Sequence, residues 1–402
     1  MQFSLRNPFG RKAPLVHAER AAHTGNVNEQ KASRTGALVA LLTEGRARWT
    51  PRDYAALARE GYQKNPVVYR CVRTVAEAVA GLPLVLTDGA RELDTHPLLD
   101  LLAKPNPRET RADLLERTAG HLLVAGNAYL ELVSVAGQAR ELHALRPDRI
   151  KIVPGSEGWP EAYEYGVAGR TVRFDMQETA GAPRPVLHLS FFHPLDDHYG
   201  LSPLEAAGYA VDVHNAASAW NKALLDNAAR PSGALVYSGA GNLSEEQFER
   251  LKQELDENYR GAKNAGRPLL LEGGLDWKPL SLSPKDMDFI AAKHSAAREI
   301  ALAFGVPPML LGIPGDNTYS NYAEANRALY RQTVLPLACR LCEAIAAWLA
   351  PAFGEGLKLT PDLDQVPALA AERDSLWSRV NAAGFLSEEE RRAAVGYAPR
   401  AE

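Results

Sequence analysis

Cysteine is scarce here. Cys71, Cys339 and Cys342 are the only three among 402 residues. That count argues against a scaffold built on disulfides and fits a reducing compartment. A surplus of positive charge is also missing: 45 Lys and Arg stand against 49 Asp and Glu, a formal net charge of −4. A protein made to grip nucleic acid carries a basic surface, so any meeting with DNA is not expected to be a tight hold. No run of about 18 apolar residues occurs. The nearest, 334–350, is interrupted by Arg340 and Glu343, and no membrane partner is expected. The N-terminal residues lack the apolar core of a signal segment. No Walker-type Gly-Lys-Ser/Thr and no Gly-x-Ser-x-Gly elbow occur, and no internal repeat is found. What remains has an ordinary globular composition, 46% hydrophobic and 23% charged, with length for two or three domains.

The stretch from Ser283 to Pro351 organises the chain. Ser283-Pro284 reads as a cap followed by a proline at the first helical position. Ile290, Ala297, Ile300, Ala301 and Phe304 recur at helical spacing. Gly305 suits a left-handed helix end, and Pro307 cannot continue the helix. The loop Gly312-Ile313-Pro314-Gly315-Asp316-Asn317-Thr318 has the composition of a mobile segment. A second helix is expected over about 319–350. Pro336 lies inside it, lacking an N–H and crowding the Gln332 carbonyl, so a kink is predicted there.

Upstream, residues 1–49 read as a flexible arm in which basic residues outnumber acidic ones. Asn65-Pro66, His96-Pro97, Thr110 with Asp113, and Ser202-Pro203 each announce a helix, the last running to about Asn227. Strands are expected near 84–86, 128–133, 141–145, 150–153, 163–165, 171–174 and 186–192. This makes the first half a mixed α+β domain. A small β-α-β-β unit, with strands at 233–238, 268–272 and 275–282 and a helix over 244–259, sits between helices 202–227 and 283–304. Two short helices starting at Thr360 and Ser387 finish the chain.

Candidate chemistry is thin. His188, His193, Asp196, Asp197 and His198 collect metal-ligand types, which supports a metal-dependent hydrolase or nuclease centred on His188, His193 and Asp197. Against it, His188 and His193 are five apart and would face opposite sides of a strand; core and turn roles are the better reading, and the hydrolase is the alternative. Gly239-Ala240-Gly241 approaches a dinucleotide loop but has Ser244 where the third glycine belongs. Cys339 and Cys342 have redox or zinc spacing but lie within one helix without a second pair.

Several segments, taken in order, carry a family resemblance. They are Asn65-Pro66-Val67-Val68-Tyr69, the run 122–129, Leu142-His143-Ala144-Leu145-Arg146-Pro147, Tyr199-Gly200-Leu201-Ser202-Pro203-Leu204, Arg230-Pro231-Ser232-Gly233, Leu270-Leu271-Glu272-Gly273-Gly274, and above all the run 304–312. Over about 50–350 the chain resembles the portal proteins of tailed double-stranded-DNA phages, in the short-chain family of long-tailed phages. With both ends compact, it resembles in particular the portals of phage-derived gene transfer agents.

The resemblance implies an α+β portal fold. It would have an arm (1–49), an α/β wing (50–200), a first stem helix (201–228), a clip (229–281) and a second stem helix (282–304). A turn and tunnel loop (305–319), a kinked wing helix (320–352) bent at Pro336, and a reduced crown (353–402) would follow. It further implies a homo-oligomeric, dodecameric ring at a capsid vertex of a virion or phage-like particle, assembled in the bacterial cytoplasm. Double-stranded DNA would pass through the channel, with Gly312 to Thr318 facing it. The terminase large subunit, a head–tail adaptor and the major capsid protein would be partners. Neither catalysis nor a cofactor is implied.

Overall fold

Capping chemistry sets most helix starts in this computed structural model, which describes residues 53–89, 91–156, 158–177, 181–226, 233–237, 244–259, 275–279, 289–315 and 319–397. The expectations for the arm, the loop 239–243, the strand 268–272 and the Ser283-Pro284 cap lie outside these residues.

Helix α1, Tyr54–Leu57, runs into a π-turn, Ala58–Gln63. In α2, Pro66–Ala80, the Asn65 side-chain oxygen accepts from the N–H groups of Val67 and Val68 at 3.0 and 3.2 Å. Pro66 needs no donor at that position. Val68, Val72, Val75, Ala76 and Val79 form its buried stripe, as the 3.6-residue period requires. Next come β1, Leu84–Asp88, β2, Arg91–Glu92, and α3, Pro97–Ala103. Helix α4, Arg111–Ala125, opens on a reciprocal Thr110–Asp113 box and stops at Gly126, whose φ is 71°.

Strands β3 (Asn127–Val135), β4 (Gln138–Leu145), β5 (Ile150–Pro154), β6 (Pro160–Val167), β7 (Arg170–Asp175) and β8 (Val186–Ser190) make two antiparallel sheets, β4-β3-β8 and β5-β6-β7. Between them Tyr129, Tyr163, Ile150, Ile152 and Val186 form one small core. The end of α4 is clamped to the segment after β8. Gly126 and Gly200 pass so closely that a Cβ on either would run into the other's carbonyl oxygen. The Asn127 amide donates to the carbonyls of Ala125 and Gly200, and its oxygen accepts from Gly200 N–H at 2.8 Å.

Ser202 caps α5, Pro203–Ala206, by accepting from Glu205 N–H at 2.9 Å. The single helix expected from here to about Asn227 is in fact two. The backbone leaves helical geometry at Ala207 and resumes as α6, Gly208–Asp226. Gly208 at the joint holds the helix weakly. Leu204, fully buried, sits against Gly61, where a Cβ would collide with it. Strand β9, Gly233–Tyr237, pairs antiparallel with β10, Leu275–Pro279, and helix α7, Glu245–Tyr259, lies between them in sequence. Ser244 and Gln247 form the expected capping box, at 3.0 and 3.3 Å. Helix α8, Phe289–Ala303, packs against α6. Ala297, Ile300, Ala301 and Phe304 of its expected stripe are buried, but Ile290 is 69% exposed.

Helix α9, Tyr319–Leu329, a π-turn, Tyr330–Val334, and α10, Leu335–Phe353, make one long run. It ends beyond Pro351 rather than before it. From Asn321 it is long and apolar enough to cross a membrane. Its apolar side chains, including Val334, Leu341, Ile345 and Leu349, instead sit in the two main cores of the molecule. Burying each such side chain contributes roughly 1.5–3 kcal/mol. Thr360 does not start a helix. It belongs to β11, Leu357–Pro361, which pairs with β1 from Leu84↔Pro361 to Asp88↔Leu357. Leu359, 1% exposed, is what seats that strand. Helices α11, Ala370–Ala382, and α12, Glu388–Ala394, close the chain, the latter on a Ser387–Glu390 box.

Candidate DNA-channel segment

The turn after α8 is built by its backbone. Gly305, at φ 64°, donates to Leu302 carbonyl at 3.0 Å, and Val306 donates to Ala301 carbonyl at 2.9 Å. These are the two bonds of a Schellman stop, which needs a left-handed residue at this position. The same pair recurs after the 3-10 turn Pro308–Leu311. Gly312, at φ 71°, donates to Met309 carbonyl and Ile313 to Pro308 carbonyl. The chain thus reverses twice within ten residues.

The first half of the candidate loop is anchored. Ile313 is 7% exposed and packs with Ala297 and Ala301 of α8. The Arg298 guanidinium donates to the Pro314 carbonyl, and a Cβ at Gly315 would strike that same guanidinium. Gly312, Pro314 and Gly315 are exposed. Asp316, Asn317 and Thr318 lie outside the described residues.

Pro336 occupies the first turn of α10, directly after the π-turn. Leu335 N–H bonds to Tyr330 carbonyl, five residues back. Widening the helix by one residue moves the Gln332 carbonyl out of a ladder position that Pro336 cannot fill. Thr333, in this π-turn, donates its hydroxyl to the Gly305 carbonyl at 2.7 Å. The helix irregularity and the chain reversal are therefore bonded together. Arg298 and Thr333 were not singled out by the sequence, because each acts on a backbone carbonyl 16 or 28 residues away.

The His188 region is a packed polar network. His188 stacks on Tyr129 with ring centroids 4.4 Å apart. Its Nε2 lies 3.0 Å from Asn127 Oδ1 and its Nδ1 3.3 Å from the Tyr163 hydroxyl. Asn127 Oδ1 can only accept, so Nε2 carries the proton and Nδ1 accepts from Tyr163. Burial lowers the His188 pKa to about 4, with the nearby His198 adding to it. His193 Nδ1 accepts from Leu195 N–H, and Asp196 Oδ1 accepts from the N–H groups of His198 and Tyr199. Those bonds, from Tyr199 first, hold the Asp196 carboxyl below its usual range. A cavity of about 360 Å³ beside this turn is lined by Tyr54, His193, Asp196 and Glu205, but by neither His188 nor Asp197. Among the described residues no three His, Cys, Asp or Glu side chains converge as a metal site requires. The three cysteines are free thiols. Burial pushes Cys71 and Cys342 up to about 12, far from the thiolate a nucleophile or ligand needs.

The described residues thus form an α+β body with an inserted β9–α7–β10 unit between two packed helices, and a reversing turn tied to a broken long helix. Residues 66–396 match the phage portal protein family, and the chain belongs to that family. It is 29% identical over 381 residues to the probable portal protein of Streptomyces phage phiC31, a match covering 89% of this chain and 82% of that one. Among solved structures it is similar to the neck of an empty gene transfer agent particle computed with C6 symmetry. There the identity is 57% and the TM-score 0.69, over 91% of this chain and 100% of the other. It is also similar to the neck of the native particle computed with C12 symmetry, at 56% identity and TM-score 0.67, over 91% and 99%.

Proposed function

We propose that this chain is the portal, or head–tail connector, of a phage-like particle of the gene transfer agent kind. It forms a homo-oligomeric ring at one capsid vertex, and double-stranded DNA enters and leaves through the ring. The observation that carries this reading is the likeness, over nine-tenths of the chain, to neck structures computed with C6 and C12 symmetry, together with the family match. On this reading the sheets and α10 are the wing, α6 and α8 the stem, and β9–α7–β10 the clip where terminase and then the adaptor dock. Gly312 to Thr318 form the tunnel loop. DNA translocation is driven by the partner ATPase, and the portal contributes shape and passage. The hydrolase alternative has no support, since His188 is spent on Asn127 and Tyr163.

Electron microscopy of the purified protein tests the proposal. Hollow rings are expected, and a protein that stays monomeric under all assembly conditions would sink it. Replacing 315–318 by Gly-Ser while keeping the Ile313 anchor tests the loop assignment. Rings should form as before, while DNA filling or retention should fall several-fold. Normal filling by that variant removes the tunnel-loop role.

A further inference from the structure

Where α11 lies along the π-turn and the start of α10, a groove of about 410 Å³ opens to solvent. Leu335, Leu363, Leu369 and Leu376 give it an apolar lining, and Arg331, Glu372, Arg373 and Arg379 a polar one. Glu372 is held by Arg331 at 3.3 Å, and Arg373 by Asp364. Arg379 is exposed and has no acidic partner among the described residues. Elsewhere on the same chain, the connection between α11 and α12 holds Phe385 out in water, 86% exposed. It is followed within four residues by the exposed Glu388 and Glu389. Phe385 does not line the groove. The molecule therefore carries a groove lined by leucines and arginines and, separately, an exposed aromatic side chain followed by carboxylates.

The two match in polarity and in charge, and a surface patch that fits a different patch of an identical chain makes a heterologous contact, the kind that closes rings. We infer that Phe385 of one copy seats in the Leu335–Leu369–Leu376 groove of the next, with Glu389 facing Arg379. This rests on the ring reading above. Two other occupants fit less well. The net-basic segment 1–49 would meet arginines of its own sign. DNA phosphates would satisfy Arg379 but leave the leucine lining and Phe385 in water.

The test uses the full chain in a Cys339→Ser background carrying Leu376→Cys and Phe385→Cys, treated with a short bismaleimide after assembly. The expected result is a ladder of covalent multimers on a denaturing gel, absent with either cysteine alone. Rings seen by microscopy whose chains stay monomeric on the gel overturn the contact but leave the ring intact as a reading. A wild-type protein that forms no ring overturns the ring reading itself, and the contact with it. Adding Arg379→Glu should cut the cross-linked fraction several-fold, and adding Glu389→Arg to that chain should restore it. A fraction unchanged by Arg379→Glu also counts against the contact, as does failure of the restoring pair.

Discussion

His188 couples the two sheets β4-β3-β8 and β5-β6-β7 to acidity. Its pKa is near 4 in the folded chain and near 6.5 in an unfolded one. Between those values the unfolded chain takes up a proton that the native network refuses, so acid favours unfolding. The stabilisation is complete above pH 6.5, is lost as pH falls from 6.5 toward 4, and changes no further below. A gap of that size is worth roughly 3 kcal/mol. His121, which burial and then Arg117 hold near 4 as well, acts in the same direction. Urea midpoints measured at pH 7.5 and 4.5 should therefore drop steeply in the wild type and less in His188→Gln. Equal drops would mean that His188 titrates freely in the fold. None of this network was legible in the sequence. Tyr163 and Asn127 stand 25 and 61 residues from His188, and the five-residue spacing of His188 and His193 favours core and turn roles without naming the partners. The caps at Asn65, Thr110 and Ser387 were legible because each is made within three residues of itself.

Two left-handed glycines flank the reversal after α8, and they differ in one respect. A Cβ on Gly305 would lie 2.5 Å from Thr333 Oγ1, whereas around Gly312 there is open space. Gly312→Ala should cost only the left-handed conformation, about 1–2 kcal/mol. Gly305→Ala should cost that and also strain the bond by which Thr333 holds the Gly305 carbonyl, so its loss of stability in denaturant should be the larger. Equal losses would show that Thr333 yields freely and that the π-turn is not tied to the reversal. At this scale the sequence foretold that Gly305 stops a helix; at Pro336 it foretold a kink, and the structure shows a π-turn directly before it. It could not foretell a π-turn, because whether a helix bends or widens at a proline depends on what packs against it. Here Val334 is fully buried and Thr333 is bonded to the reversal. The strand β11 was missed for a related reason. Leu357 to Pro361 is too short to show alternation clearly, and its partner β1 lies more than 250 residues upstream.

For the whole molecule, the sign of charge decides what a channel does with its cargo. The chain carries −4, and residues 1–49 are net basic, so the rest is more acidic than the total. A conduit that bound duplex DNA through many Lys and Arg contacts would hold it against movement, with an affinity that collapses as salt rises. The assembled protein is therefore expected to bind free duplex DNA more weakly than about 10⁻⁶ M at 0.15 M salt, the tight end of ordinary non-specific binding. Affinity should also change little between low and moderate salt. Removing 1–49 should weaken residual binding further, because those residues carry the basic excess. Filter binding across a salt series measures both. Sub-micromolar binding with a steep salt slope would mean that basic side chains line the path, and that passage depends on force overcoming grip rather than on a wall that does not hold.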